Sequence, residues 1–216
     1  KGTYSPHRVS RITCIVNELL SEKITGFLHD LGVIVYVENG RSVREVLKPR
    51  PFSFPGEMVS LRNTPVDIFR FTVPRENSKS VITNIIYTAE LNIPGRGTIF
   101  SQDLMEFSKE QPDLNLDFLS GTNCRDYSNI LLHKLSCVVC VLSEPGGGEA
   151  LAKAALDLGI CVPLVTFGTG NYMRDQLGLI RITISPEKYI VHLVMPEQDS
   201  ESIIRILIEQ SRLDLP

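Results

Sequence analysis

Apolar residues recur along this chain in two alternating rhythms, and the order of those rhythms predicts a fold. ITCIVN (Ile12–Asn17) is a short apolar strand. Leu19 to Leu31 then carries Leu20, Ile24, Phe27, Leu28 and Leu31 at helical spacing, and Gly32 follows where a helix C-cap belongs. VIVYVE is a second strand, ending at Asn39-Gly40-Arg41. Val66 to Phe100 reads as a strand, a proline stop, an amphipathic helix, a tight turn and a further strand. Strand–helix–strand–strand–helix–strand is the ferredoxin-like split βαβ order. It predicts an antiparallel four-stranded sheet with both helices on one face, an α+β architecture. Residues 1–10 carry no pattern of their own.

The same sentence is then repeated. Pro74 maps onto Pro196, an offset of 196 − 74 = 122. At that offset Ser78 meets Ser200, Ser80 meets Ser202, Leu91 meets Leu213 and Pro94 meets Pro216. Val81, Ile82, Ile85 and Ile86 fall on Ile203, Ile204, Leu207 and Ile208 without a gap. An apolar stripe alone is common to surface helices, but prolines and serines in register with it point to an internal duplication. SCVVCVL (136–142) matches the first strand, EALAKAALDL (149–158) is a helix closed by Gly159, and CVPLVTFG (161–168) is the next strand. The predicted organisation is two tandem ferredoxin-like domains, 1–107 and 134–216. The polar, irregular stretch 108–133 joins them as a linker. Helix 74–92 is expected to be equivalent to helix 196–214.

Between Ser42 and Thr64 the pattern dissolves. Pro49, Pro51 and Pro55 interrupt it, and Arg41, Arg44, Lys48, Arg50 and Arg62 are scattered around it. This predicts a long loop or partly detached hairpin, mobile without a partner. Such loops are often functional, and a solvated hairpin with no partner is the plain alternative.

Composition narrows the classes. The chain has 216 residues, 43% hydrophobic and 22% charged, with a net charge of −3. That suits two globular domains and gives no bulk field for nucleic acid or an anionic membrane. No apolar run approaches a membrane span, and no signal peptide is visible. Lys1 rather than Met at the first position points to sequence upstream. Five unevenly spaced cysteines do not form a disulfide framework, and a reducing cytoplasmic setting follows. Cys137 and Cys140 lie on one predicted strand with opposite facings, so they read as core thiols rather than as half of a metal site.

Candidate chemistry is sparse. EPGGGE (144–149) precedes a helix, where glycines can bare backbone N–H groups to a phosphate. It lacks the Lys-Ser/Thr of a P-loop, and a flexible start to the helix is the competing reading. His7, His29, His133 and His192 are scattered, with no carboxylate pair or nucleophile–base set beside them, which argues against an enzyme.

ELNIPGRGTIF (90–100) resembles the glycine-bearing B-loop of the PII nitrogen-regulatory signal-transduction family. VNELLSEKITGFLHDLG resembles the first helix of divergent PII-like proteins. Phe167-Gly168-Thr169-Gly170, Leu177-Gly178 and Pro186-Glu187-Lys188-Tyr189-Ile190-Val191 resemble the loop base and third strand of that branch. The resemblance implies a homotrimeric ring of ferredoxin-like units that binds an adenine nucleotide (ATP, ADP or AMP) in intersubunit clefts. It implies a sensor rather than a catalyst, acting on a target protein through a mobile loop, here 42–64. The ligand-binding positions it implies are Gly40, Arg41, Gly95, Arg96, Gly97, Thr98, Gly168, Thr169, Gly170 and Lys188. The sequence departs from the family at Thr98, where a lysine is expected, and at 101–106, where a basic pair is expected. The competing reading is a ligand-free structural or protein-interaction trimer. One further expectation joins the chain ends: Lys1-Gly2-Thr3-Tyr4 echoes Arg96-Gly97-Thr98-Ile99, so residues 1–5 are candidates for a strand following Pro216.

Overall fold

The computed structural model describes residues 5–49, 57–108, 113–121, 127, 134–142, 146–159, 163–169 and 187–211. The chain divides into two compact units, residues 1–39 with 65–131 and residues 40–64 with 132–216.

The first unit holds β1 (Ser5–Asn17), α1 (Ser21–Asp30), the start of β2 (Tyr36–Pro49), most of β3 (Glu57–Pro74), α2 (Ser78–Ala89) and β4 (Gly97–Ser108). Its strand order is β4-β1-β3-β2, with β1 antiparallel to both β3 and β4. This is the expected split βαβ order. The β1–β3 register sets Cys14 opposite Phe69 and Ile12 opposite Phe71. These residues point to the helix side and close over Ile24, Phe27 and Leu28 of α1 and Val81, Ile85 and Ile86 of α2. The other side of the sheet is buried as well, at Ile15, Val66 and Ile68. Gly32 takes φ +80 after α1, and its N–H donates to the His29 carbonyl, so it ends the helix as expected.

Two features differ from the sequence expectation. Residues 5–10 belong to β1, an interior strand paired on both edges, which buries Val9 and Ser10. Ser5, the first described residue, sits in register with Ser108. Residues 1–4, on which the chain-end strand was expected, lie outside the described residues. The presumed linker contains a short helix, α3 (Leu116–Ser120), capped by Asn115. Leu114 and Leu119 are buried in the first core and Phe118 packs on Phe27 at 5.4 Å, because that core leaves an apolar rim for them. Its N-terminal end is tied down where the Asn115 N–H donates to the Leu31 carbonyl.

The second unit holds β5 (Leu135–Leu142), α4 (Gly147–Asp157), β6 (Leu164–Thr169), β7 (Glu187–Pro196) and α5 (Ser200–Ser211), with β2 from Gly40 onward. The strand order is β2-β6-β7-β5. Val43, Val165, Val191, Leu193 and Met195 form one apolar face, packed on Leu151, Ala152 and Ala155 of α4 and Leu207 of α5. Gly159 ends α4 at φ +66, matching Gly32. The two βα halves coincide closely at the offset read from the sequence. Short 3-10 turns 75–77 and 197–199 follow Pro74 and Pro196, and α2 and α5 begin at Ser78 and Ser200 and end at Ala89 and Ser211.

The Pro/Arg-rich segment takes the hairpin alternative among the described residues: β2 runs on to Pro49, the neighbouring β3 starts at Glu57, and residues 40–64 group with the second unit rather than the first. Arg41 pairs with Val165 and Ser42 with Leu164, and Ser42 and Val43 are buried. The start of the segment is therefore held in the sheet. Pro49 falls at the end of β2 rather than within it, and Pro51 and Pro55 lie outside the described residues. The core-thiol expectation holds for only one of its pair. Cys140 packs on the second core, where burial raises its pKa, whereas Cys137 faces the other way and is half-buried.

Cys14 carries a prediction. Complete burial pushes its thiol up from 9.0 to about 12. The folded chain therefore keeps a proton that the unfolded chain sheds above pH 9, and stability falls as pH rises through that window. The slope from Cys14 alone is about 1.4 kcal/mol per pH unit. Cys14→Ala is expected to flatten the loss between pH 9 and 11 in urea titrations. An unchanged slope would remove Cys14 as its source.

Candidate functional site

In the first unit, the glycine turn between α2 and β4 carries Gly95, Arg96, Gly97 and Thr98. Helix α2 ends on Glu90 in the left-handed region (φ +52), a conformation that costs a non-glycine residue about 1–2 kcal/mol. Leu91 N–H then returns to the Ile86 carbonyl, and Arg96 N–H to the Ile93 carbonyl. Arg96 turns inward: its Nε donates to the Ala89 carbonyl at 2.9 Å, and its guanidinium pairs with Glu90 at 3.1 Å. It therefore closes the end of α2. Gly95 is left-handed at φ +87. Gly97 opens β4 against β1, where a Cβ would stand 2.3 Å from the Ile15 carbonyl oxygen, and Thr98 pairs with Ile15. A surface cavity of about 430 Å3, lined by Tyr87, Thr88, Glu90, Asn92, Ile93 and Tyr127, sits beside this turn.

In the second unit, β2, β6 and β7 gather residues distant in sequence. Arg41 stands opposite Val165, Gly168 opposite Lys188, and Thr169 opposite Glu187. Gly170 lies outside the described residues. Gly40 is buried, Arg41 is exposed, and Lys188 is 8% exposed. Side chains alternate across a pleated strand, so the register sorts these residues onto two faces. Arg41, Val165, Phe167 and Tyr189 share the helix-covered face, whereas Gly168 and Lys188 share the opposite one with Thr166 and His192. His192 sits within hydrogen-bond reach of the Thr166 hydroxyl, at 3.5 Å.

The sequence reading missed the aromatic part of the first group. The Arg41 guanidinium lies 5.3 Å from the Phe167 ring centre, and Phe167 meets the Tyr189 ring edge-on at 5.3 Å. The Tyr189 ring is in turn pressed against the first turn of α4: a Cβ on Gly148 would come within 2.8 Å of it. This explains one glycine of the EPGGGE run by packing, and Gly146 explains another by capping α4 at φ +78. Phe167 and Tyr189 stood inside the quoted motifs, but only the β6–β7 register reveals that they touch.

Chemically, the Arg41, Phe167 and Tyr189 group can hold and neutralise an anion and offer it a flat apolar surface. Among the described residues, no cluster of histidine, cysteine and carboxylate side chains suits a metal. No described helix is long and apolar enough to cross a membrane.

No known family matches the chain, and no curated protein matches its sequence. Among solved structures, the chain is similar to GlnK of B. subtilis in its ATP complex, at 14% identity and a TM-score of 0.37, over 45% of this chain and 84% of that one. It is similar to CPII of Thiomonas intermedia K12 bound to ADP, AMP and acetate, at 14% identity and a TM-score of 0.31, over 47% and 91%. The ligand-free regulatory subunit of aspartate kinase from Thermus thermophilus aligns over 97% of this chain and 99% of its own, at 12% identity and a TM-score of 0.30. These superpositions are loose, and the α+β assignment rests on the strand pairings and packed faces described above.

Proposed function

We propose that this chain is a non-catalytic, PII-like regulatory protein, a tandem duplication whose second unit senses a small anionic ligand. An adenine nucleotide (ATP, ADP or AMP) is the ligand class that the sequence motifs favour. Arg41 carries the reading. Arg41 is exposed although the two residues that follow it are buried, so the cation is presented from a fixed strand rather than a free loop. Lys188, on the other face of the same sheet, adds a second cation to the unit. The groups gathered here bind and orient, and no nucleophile–base pair stands among Arg41, Phe167 and Tyr189. Arg41 opens the 42–64 segment, so ligand occupancy would act directly on the base of the arm proposed to engage a target protein. Assembly as a trimer of chains belongs to the same proposal, and light scattering that shows a monomer at micromolar concentration would remove it.

A thermal-shift titration with ATP, ADP and AMP tests the ligand. A nucleotide that binds only the folded chain raises the Tm in proportion to the logarithm of its concentration once it exceeds the Kd. Arg41→Ala is expected to weaken that ligand roughly tenfold or more, since a charge-assisted contact contributes about 1.5–3 kcal/mol. No shift with any of the three nucleotides would overturn the ligand assignment.

A further inference from the structure

A nucleotide needs a surface for its base as well as cations for its phosphates, and the glycine and cation positions considered so far supply only the second. The exposed surface of Phe167 supplies the first. Farther in along its face of β6 and β7, Val165 is 2% exposed and Val191 is 0%, whereas Phe167 is 47% exposed. The ring is held on two sides. Arg41 covers one approach at 5.3 Å, and Tyr189 meets it edge-on at 5.3 Å. Tyr189 has little freedom to move away, because its ring fills the space above Gly148. Arg41 is fixed through its backbone by the pairing with Val165 and by its buried neighbours Ser42 and Val43. The result is an aromatic platform ordered in advance, with a planar cation at its side.

We propose that Phe167 is the base-stacking residue of this site, so that the second unit recognises the flat heteroaromatic ring of a nucleotide and not only its phosphates. Stacking of a base on an aromatic side chain is tolerant of base identity, because every base offers a π face. A guanidinium beside the platform stacks or pairs with the same ligand. The site thus prefers purine nucleotides over inorganic phosphates of equal charge and ranks purines by ring area more than by edge groups. This inference rests on the proposed anion-sensing role.

The test compares ligands with and without the base, by isothermal titration of the full chain with ATP against inorganic triphosphate and with AMP against inorganic phosphate. The wild-type protein is expected to bind the nucleotide of each pair about tenfold more tightly. Phe167→Ala should abolish that preference while leaving the phosphate-only affinities unchanged, and Phe167→Tyr should retain it. Phe167→Leu, which keeps an apolar side chain there, guards against a folding defect and should behave as the alanine variant does. Equal affinities within each wild-type pair would overturn the stacking role and leave the anion site standing, as would a preference that survives in both Phe167→Ala and Phe167→Leu. If neither the nucleotides nor the phosphates bind, the sensing role fails and the stacking role with it.

Discussion

Phe69→Ala is expected to remove about 3–5 kcal/mol from the first unit, the range for deleting a fully buried aromatic ring from a packed core. Phe69 is 0% exposed and faces Cys14 across the β1–β3 ladder, on the side covered by α1 and α2. β3 is joined to β1 by a continuous register from Val66 to Pro74, so the backbone there has little room to collapse into the space left behind. The loss should be confined to one unit, because the second has a separate apolar cluster around Val191 and Leu193. Native-state hydrogen exchange resolves this. Amides of β1, β3 and α2 should lose protection by the full amount, whereas those of β7 and α4 keep theirs. Phe69→Leu, which retains much of the apolar volume, should cost less. Uniform loss across both units would show that they unfold together.

That expectation rests on features legible in the residues alone. The 3.6-residue stripe of Ile24, Phe27, Leu28 and Leu31 places α1, and the glycines at 32 and 159 end α1 and α4 in left-handed turns. The offset of 122 carries one 3-10 turn, helix start and helix end onto the other. These signals are local, and local chemistry writes them plainly. What escaped the sequence reading depends on partners far away along the chain. Val43 looks like one apolar residue in a basic, proline-bounded stretch, and only the pairing of Ser42 with Leu164 turns it into core. Leu114 and Leu119 lie in a polar stretch, and the rim of the first core gives them their burial. The site divides in the same way. Arg41, Gly168 and Lys188 stood out by residue type, whereas their separation onto two faces and the contact of Arg41 with Phe167 follow from register. Register is a property of the assembled sheet.

Gly97→Ala should be among the most damaging small substitutions in this chain, by about 3 kcal/mol. The family resemblance implied a reason of one kind: Gly97 as a ligand-binding position in the turn. The geometry supplies another. A methyl group at this position would lie 2.3 Å from the Ile15 carbonyl oxygen and 3.1 Å from Val16 Cα, and both of these are main-chain atoms. A side chain can rotate away from such a clash, but β1 cannot yield easily, since β3 and β4 hold it on both edges. The accommodation must come from β4, whose first residues would peel from β1 and open the ladder from Gly97 and Thr98 onward. Gly26→Ala is the matched control. It sits on the exposed side of α1, nothing lies within 4 Å of its would-be Cβ, and removing a helical glycine should stabilise by about 0.5–1 kcal/mol. The two variants make the same chemical change with opposite expected signs, so urea midpoints for the pair separate packing from any general effect of losing glycine. If Gly97→Ala folds with wild-type stability but loses nucleotide affinity, the glycine serves a ligand at the turn. If it loses stability as expected, with the affinity of the surviving folded fraction intact, Gly97 is there to let β4 close against β1, and the second unit carries the binding.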